Sequence, residues 1–252
     1  MRANDPAEFA ACVDRLRALL HAPEFRVARD ETHERMLIEG FIPGREYALE
    51  GLMHYGRLHV LAIFDKPDPL VGPYFEETIY VTPSRLPAET QSLVQATVAA
   101  ATRAIGLTEG PIHAEVRLNE SGAWVLEVAA RSIGGLCART LRFGAGVPLE
   151  ELIIRHAARL PLPSLEREHA AAGVMMLPIP RAGKLREVHG RDEAIAVPGI
   201  EGLVITIPPG GRVVPLPEGD RYLGFMFARA ETPAEAEAAL REAHRRLEIV
   251  IE

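Results

Sequence analysis

The chain has 252 residues, 48% hydrophobic and 25% charged, enough to bury a core in one large domain or two modest ones. Its formal net charge of −7 argues against nucleic acid as a partner, which would need a clustered basic face. Cys12 and Cys137 form neither a disulfide framework nor a metal-ligand pattern, and no apolar run suits a membrane span or a signal peptide, so a cytoplasmic protein with no membrane association is expected.

In "DPAEFAACVDRLRALL", Asp5 can cap a helix, Pro6 fits its first position, and Glu8 stands where a capping-box acid belongs. Strand-like runs follow: "RMLIEGFI", "EYALEGLMHY", "RLHVLAIF" and "ETIYVTP", with Gly56 marking a hairpin between the second and third. A helix is predicted from Pro87 to Gly106, and another from Val147 to Leu160. The proline cluster at 161–164 divides the chain into residues 1–163 and 164–252. Beyond it lie the short strands "GVMMLPIP", "GLVITIPP" and "RYLGFMFARA", then a helix capped by Thr232, Pro233 and Glu235. Strands and helices in blocks imply an α+β fold with mainly antiparallel sheet.

The stretch "IHAEVRLNESGAWVLEVAAR", residues 112–131, alternates like two half-buried strands. In the first, Ile112, Ala114, Val116 and Leu118 share one face and His113, Glu115 and Arg117 the other. In the second, Trp124, Leu126, Val128 and Ala130 oppose Val125, Glu127, Ala129 and Arg131. A three-residue loop of Glu120, Ser121 and Gly122 would pair Asn119 with Ala123 and set Glu115 across from Glu127. Two carboxylates roughly 5 Å apart need neutralising. A shared proton, as in hydrolase acid pairs, would do this; so would a bridging Mg2+, with Arg131 beside it as fixed positive charge. The third reading is two solvated acids tied to Arg117 and Arg131.

These residues, "HAEVRLNESGAWVLEVAARSIGG", resemble the metal-binding hairpin of ATP-grasp enzymes, most closely the L-amino-acid ligase branch, whose members join a carboxylate to an amine through an acyl phosphate. The resemblance implies ATP and Mg2+ (Mn2+ as a substitute) as cofactors, Glu115 and Glu127 as metal ligands, and Arg131 and His113 as catalytic groups. "LIEGFIPGREYALEG" is similar to the family's nucleotide hinge, which implies that Glu39, Gly40, Phe41 and Ile42 meet adenine and that Glu46 accepts from the ribose hydroxyls. "IFDKPDPLVGPYFEETIYVTPS" resembles an active-site segment, with Lys66 reaching phosphate and Glu77, or its neighbour Glu76, meeting the amine. Ser132, Gly134 and Gly135 form a loop that lets substrate approach the backbone. One departure is Ala129, where many members carry an asparagine, which removes an oxygen from a second metal position.

The likeness covers the C-terminal portion of the ATP-grasp architecture and a small α+β C-terminal domain. The glycine-rich phosphate loop and its lysine strand have no counterpart before Asp5, so a truncated form is expected, with little turnover unless a homodimer partner or second chain supplies the rest. Small carboxylates and amines, amino acids among them, are the expected substrates. The alternative is a non-catalytic protein that binds nucleotide, metal or a partner on the same fold.

Overall fold

The computed structural model describes residues 1–22, 35–70 and 74–252; part of the segment "DKPDPLVGPYFEET" therefore lies outside the described residues. Helix α1, Pro6–Leu20, begins as its caps dictate, with the Asp5 side chain accepting from the Glu8 N–H at 2.8 Å. Glu8 reaches back one residue further than a capping box requires, accepting from the backbone N–H of Asn4 at 2.7 Å.

Two long strands follow, β1 (Arg45–His54) and β2 (Arg57–Asp65), joined at Tyr55 and Gly56, both with positive φ. The chain then forms β3 (Ile79–Thr82), helix α2 (Ala88–Ala104), β4 (Gly110–Asn119) and β5 (Gly122–Ala129). A 3-10 turn at Cys137–Thr140 and the short strands β6 (Arg142–Phe143) and β7 (Val147–Pro148) precede α3 (Leu149–Ala157). The remainder comprises β8 (Ala171–Leu177), β9 (Gly183–His189), α4 (Arg191–Ile195), β10 (Ile200–Ile205), β11 (Arg212–Val213), β12 (Gly224–Ala230), α5 (Pro233–Arg245) and β13 (Glu248–Ile251). Thr232 and Glu235 complete the expected capping box of α5.

Eight strands form one antiparallel sheet in the order β10-β12-β8-β3-β2-β1-β4-β5, and β11-β9-β13 form a smaller one. This is the mixed α+β architecture that the order of elements implies. The large sheet runs across the 163/164 position through the pairing of β3 with β8. Residues 35–42, expected as a strand, form none: Leu37 and Ile38 stand exposed, and both edges of β1 are already taken by β2 and β4.

Three apolar clusters fix the layers. Leu49, Ile63, Ala114 and Val116 pack against Val94 and Val98 of α2. On the same side, Val81, Met175 and Met226 pack with Ala236 and Leu240 of α5. The opposite face buries Phe64, Tyr80, Met176 and Phe225 under Ile133, Leu141, Phe143 and Leu152. Each such fully buried side chain contributes roughly 1.5–3 kcal/mol. Beside this third cluster, the same face of β1, β4 and β5 carries charged side chains instead.

Candidate functional site

The β4–β5 hairpin reaches the expected pairing by a different route. Its turn has two residues, so Asn119 pairs with Gly122 and Leu118 with Ala123, correcting the three-residue loop. Asn119 makes this turn by accepting from the Ser121 N–H at 2.9 Å and from the Trp124 indole at 3.2 Å. A β-bulge at Leu126 then restores the register, and Glu115 stands opposite Glu127. The bulge also corrects the assignment of faces: Trp124 shares the charged face with Arg117, while Val125 pairs with Val116 and packs on the core. Burial of Val116, Val125 and Val128 on one face selects this solution, since an unbulged two-residue hairpin would turn Val128 to the wrong side.

The charged face is organised around Lys66, whose side chain is 3% exposed. Its ammonium donates to Glu46 at 2.6 Å, Glu77 at 2.6 Å and Glu115 at 2.8 Å, so each of its three N–H groups has a carboxylate. Burial opposes the charged lysine, but the three carboxylates outweigh it and hold the ammonium above its ordinary range. Glu77 is raised as well, here toward the neutral form: burial outweighs Lys66, and the Tyr80 hydroxyl donates to it. Glu115 is partly buried, which pushes its carboxyl up, yet nearby His113 and the charge and hydrogen bond of Lys66 hold it far below the usual carboxylate range. Lys66, expected at phosphate, is thus already the counter-ion of three acids in this structure.

His113 Nδ1 lies 2.5 Å from Glu50, and its Nε2 3.8 Å from Glu115. Burial disfavours the imidazolium, but these two acids prevail and lift it to about 9. Glu50, 1% exposed, also accepts from the Ile133 N–H, and burial raises its carboxyl. Glu50 escaped the sequence reading. Its spacing from Glu46, two strand periods, was the available signal that both face the same side.

Arg117, 3% exposed, ties the segment around Ile42 to the sheet. It donates to Glu46 at 2.9 Å and to the Ile42 carbonyl at 2.7 Å, and lies 5.0 Å and 5.1 Å from the Phe41 and Phe75 ring centres. These contacts shape a cavity of about 420 Å³ lined by Glu39, Gly40, Phe41, Ile42, Glu46, Glu77 and Glu115. Both Glu46 oxygens are engaged, one by Lys66 and one by Arg117; each retains acceptor capacity.

A second cavity, about 310 Å³, is lined by Glu77, His113, Glu115, Glu127, Arg131, Gly134 and Gly135 among others. Arg131 is 3.9 Å from Glu127 and donates to the Ser132 carbonyl at 2.9 Å. The Ser132 side chain lines neither cavity. Gly135 has φ +61, and a Cβ there would meet the Phe225 ring at 2.9 Å, so glycine is required. The facing acids are balanced by protein cations, Glu115 by Lys66 and Glu127 by Arg131. Glu127 stands apart from the convergent group of Glu46, Glu77 and Glu115. The Lys66 hydrogen bond and the longer His113 contact both fall on Oε1 of Glu115, and Glu127 is 56% exposed in the same cavity. Two carboxylates on opposed strands suit a hard divalent ion, so the residues present fit Mg2+.

Comparison with known proteins bears on this geometry. Residues 1–140 match the ATP-grasp domain family, and residues 175–252 match L-amino acid ligase C-terminal domain 2. The chain is similar to an L-amino acid ligase from Bacillus licheniformis, with a TM-score of 0.83 at 27% identity over 100% of this chain and 62% of that one. A phosphoribosylglycinamide synthetase from Anaerococcus prevotii shares the fold, with a TM-score of 0.67 at 12% identity over 84% of this chain and 55% of that one. In sequence, carnosine synthase 1 of Gallus gallus is 32% identical over 56% of this chain, and an uncharacterized protein of Sinorhizobium fredii is 26% identical over 82%. The chain spans only 16% and 42% of those two relatives, respectively. With more than half of its length matched, the chain belongs to the ATP-grasp family, and its fold is that of an ATP-grasp ligase similar to L-amino acid ligase.

Proposed function

We propose that this chain forms the nucleotide- and metal-binding face of an ATP- and Mg2+-dependent ligase that joins a small carboxylate, such as an amino acid, to an amine. The observation that carries this reading is a shared wall: Glu77 and Glu115 line both the hinge-side cavity and the cavity holding Glu127, Arg131 and His113. One ligand can therefore touch the exposed backbone of residues 39–42 and the opposed carboxylates together.

Glu115 and Glu127 would hold Mg2+, and bound MgATP would supply activation of the substrate carboxylate as an acyl phosphate. The chain's own residues then have distinct tasks. Arg131 offers positive charge beside Glu127 to anionic oxygens, while Lys66 holds Glu46, Glu77 and Glu115 together. Glu77, whose carboxyl burial raises, is placed to accept a proton or hydrogen bond from the amine. His113, charged at neutral pH, orients Glu115 rather than serving as a base. Gly134 and Gly135 admit substrate to the backbone.

A non-catalytic nucleotide-binding role is the second reading, favoured by Ala129, which pairs with His113 and offers no oxygen to a second metal. Incubation with ATP, Mg2+ and a panel of carboxylates and amines separates the two. The assay uses this chain both alone and mixed with a second chain carrying an ATP-grasp glycine-rich phosphate loop. ADP and amide in matching amounts from either support the ligase; MgATP binding without amide from both supports the second reading.

A further inference from the structure

We propose a second metal site, distant from the Glu115–Glu127 pair, in which His54, Glu109 and His156 hold one borderline-soft divalent ion such as Zn2+. His54 ends β1, Glu109 precedes β4, and His156 lies in the last turn of α3. The site is eight residues along β1 from Glu46, about 26 Å of strand.

The ligand atoms form a compact triangle. His54 Nδ1 is 3.1 Å from His156 Nε2, His156 Nε2 is 3.2 Å from Glu109 Oε2, and His54 Nδ1 is 3.7 Å from the same Oε2. Zinc bonds of about 2.0–2.2 Å at tetrahedral angles put neighbouring ligands about 3.3–3.6 Å apart, so these distances describe one face of a tetrahedron. Two imidazoles and one carboxylate, drawn from three segments distant in sequence, are a known zinc donor set. Hard Mg2+ would disfavour it, which separates this site chemically from Glu115 and Glu127.

The carboxylate is also held from behind. Glu109 Oε1 accepts from the Tyr55 N–H at 2.9 Å, leaving Oε2 toward the histidines. That N–H is presented by a turn in which Tyr55 has φ +48, an uncommon conformation for a residue with a side chain, and Gly56 donates to the Thr108 carbonyl at 2.9 Å. The His156 side chain is 7% exposed, whereas His54 and Glu109 are 39% and 49% exposed, so the fourth position opens to water. The ion would clip the β1–β2 turn and the segment before β4 to α3.

The test is titration of the untagged full chain, stripped with chelator, with Zn2+ by calorimetry and with Co2+ by visible absorption. His54→Ala and Glu109→Gln are chosen because both side chains are partly exposed, and chelated melting curves verify their folding. One equivalent of Zn2+ is expected at this site, with the absorption of four-coordinate Co2+ and a Zn2+-dependent rise in Tm. Each variant should bind at least ~10-fold more weakly, since even outer-shell losses cost 10–100-fold. The Glu115→Gln/Glu127→Gln double variant should retain the site. Absence of Zn2+ binding at micromolar concentration would overturn the proposal and leave two hydrogen-bonded histidines. So would affinity unchanged in both single variants, or lost only in the double variant.

Discussion

Replacing Lys66 by methionine keeps the bulk of the side chain and removes the charge on which three carboxylates converge. Glu46 would retain Arg117, but Glu77 and Glu115 would face each other with their shared counter-ion gone. Removing one partner of a buried ion pair costs about 3–5 kcal/mol, because the remaining charge stays buried without compensation. For a chain of this size that corresponds to a fall in Tm of roughly 6–20 °C. The cost has a defined pH dependence. Glu115 is depressed below its ordinary value, so its share of the stability is present above about pH 4.5 and fades as pH falls through its folded pKa. Lys66 is raised, so its share persists below about pH 10.4 and is lost only at higher pH. Urea unfolding followed by circular dichroism should therefore show a larger deficit at pH 8 than at pH 4, where the freed carboxylates take up protons. Mg2+ should recover part of the pH 8 deficit by occupying the vacated acidic cluster. A loss below about 1 kcal/mol, equal at both pH values, would refute the assignment of Lys66 as the organising charge.

Three further outcomes follow from the same geometry. His113 is lifted to about 9, so its contribution to stability is complete below about pH 6.5 and is lost as pH rises through 9; in His113→Asn, the wild-type decline between pH 7 and 10 should flatten in urea titrations. Arg117→Met leaves Glu46 to Lys66 alone and frees the Ile42 carbonyl, and should destabilise the chain by about 3 kcal/mol and weaken nucleotide binding, both measurable by thermal melts with and without MgATP. Gly190 has φ +75, and a Cβ there would stand 1.8 Å from the Arg246 carbonyl; Gly190→Ala should cost more than about 2 kcal/mol in chemical denaturation without changing MgATP affinity.

The parts legible in the sequence were those with local causes. Asp5, Thr232 and Glu235 announce helix starts through their own hydrogen bonds and Pro6 through its fixed backbone, and the alternation in β4 separates apolar Ile112, Ala114 and Val116 from His113, Glu115 and Arg117. The opposition of Glu115 and Glu127 was legible because burial of the valines demands it, while the bulge at Leu126 was not, because nothing local distinguishes a bulge from a longer turn. Strand β9 escaped for a similar reason: its buried residues, Leu185 and Val188, are three apart, and its pairing with β13 is irregular. The segment 35–42 shows the converse, an apolar run with no free sheet edge to join. Lys66 carries the plainest lesson. Its three partners lie 20, 11 and 49 residues away, and only the folded sheet reveals that one ammonium serves all of them.

The most direct measurement is calorimetric binding of ATP to this chain with and without Mg2+, repeated on the Glu115→Gln/Glu127→Gln variant. The account predicts Mg2+-dependent binding that the double variant loses while its circular dichroism spectrum still shows the folded chain. Nucleotide binding indifferent to both Mg2+ and the two glutamates, or no binding at all, would contradict it.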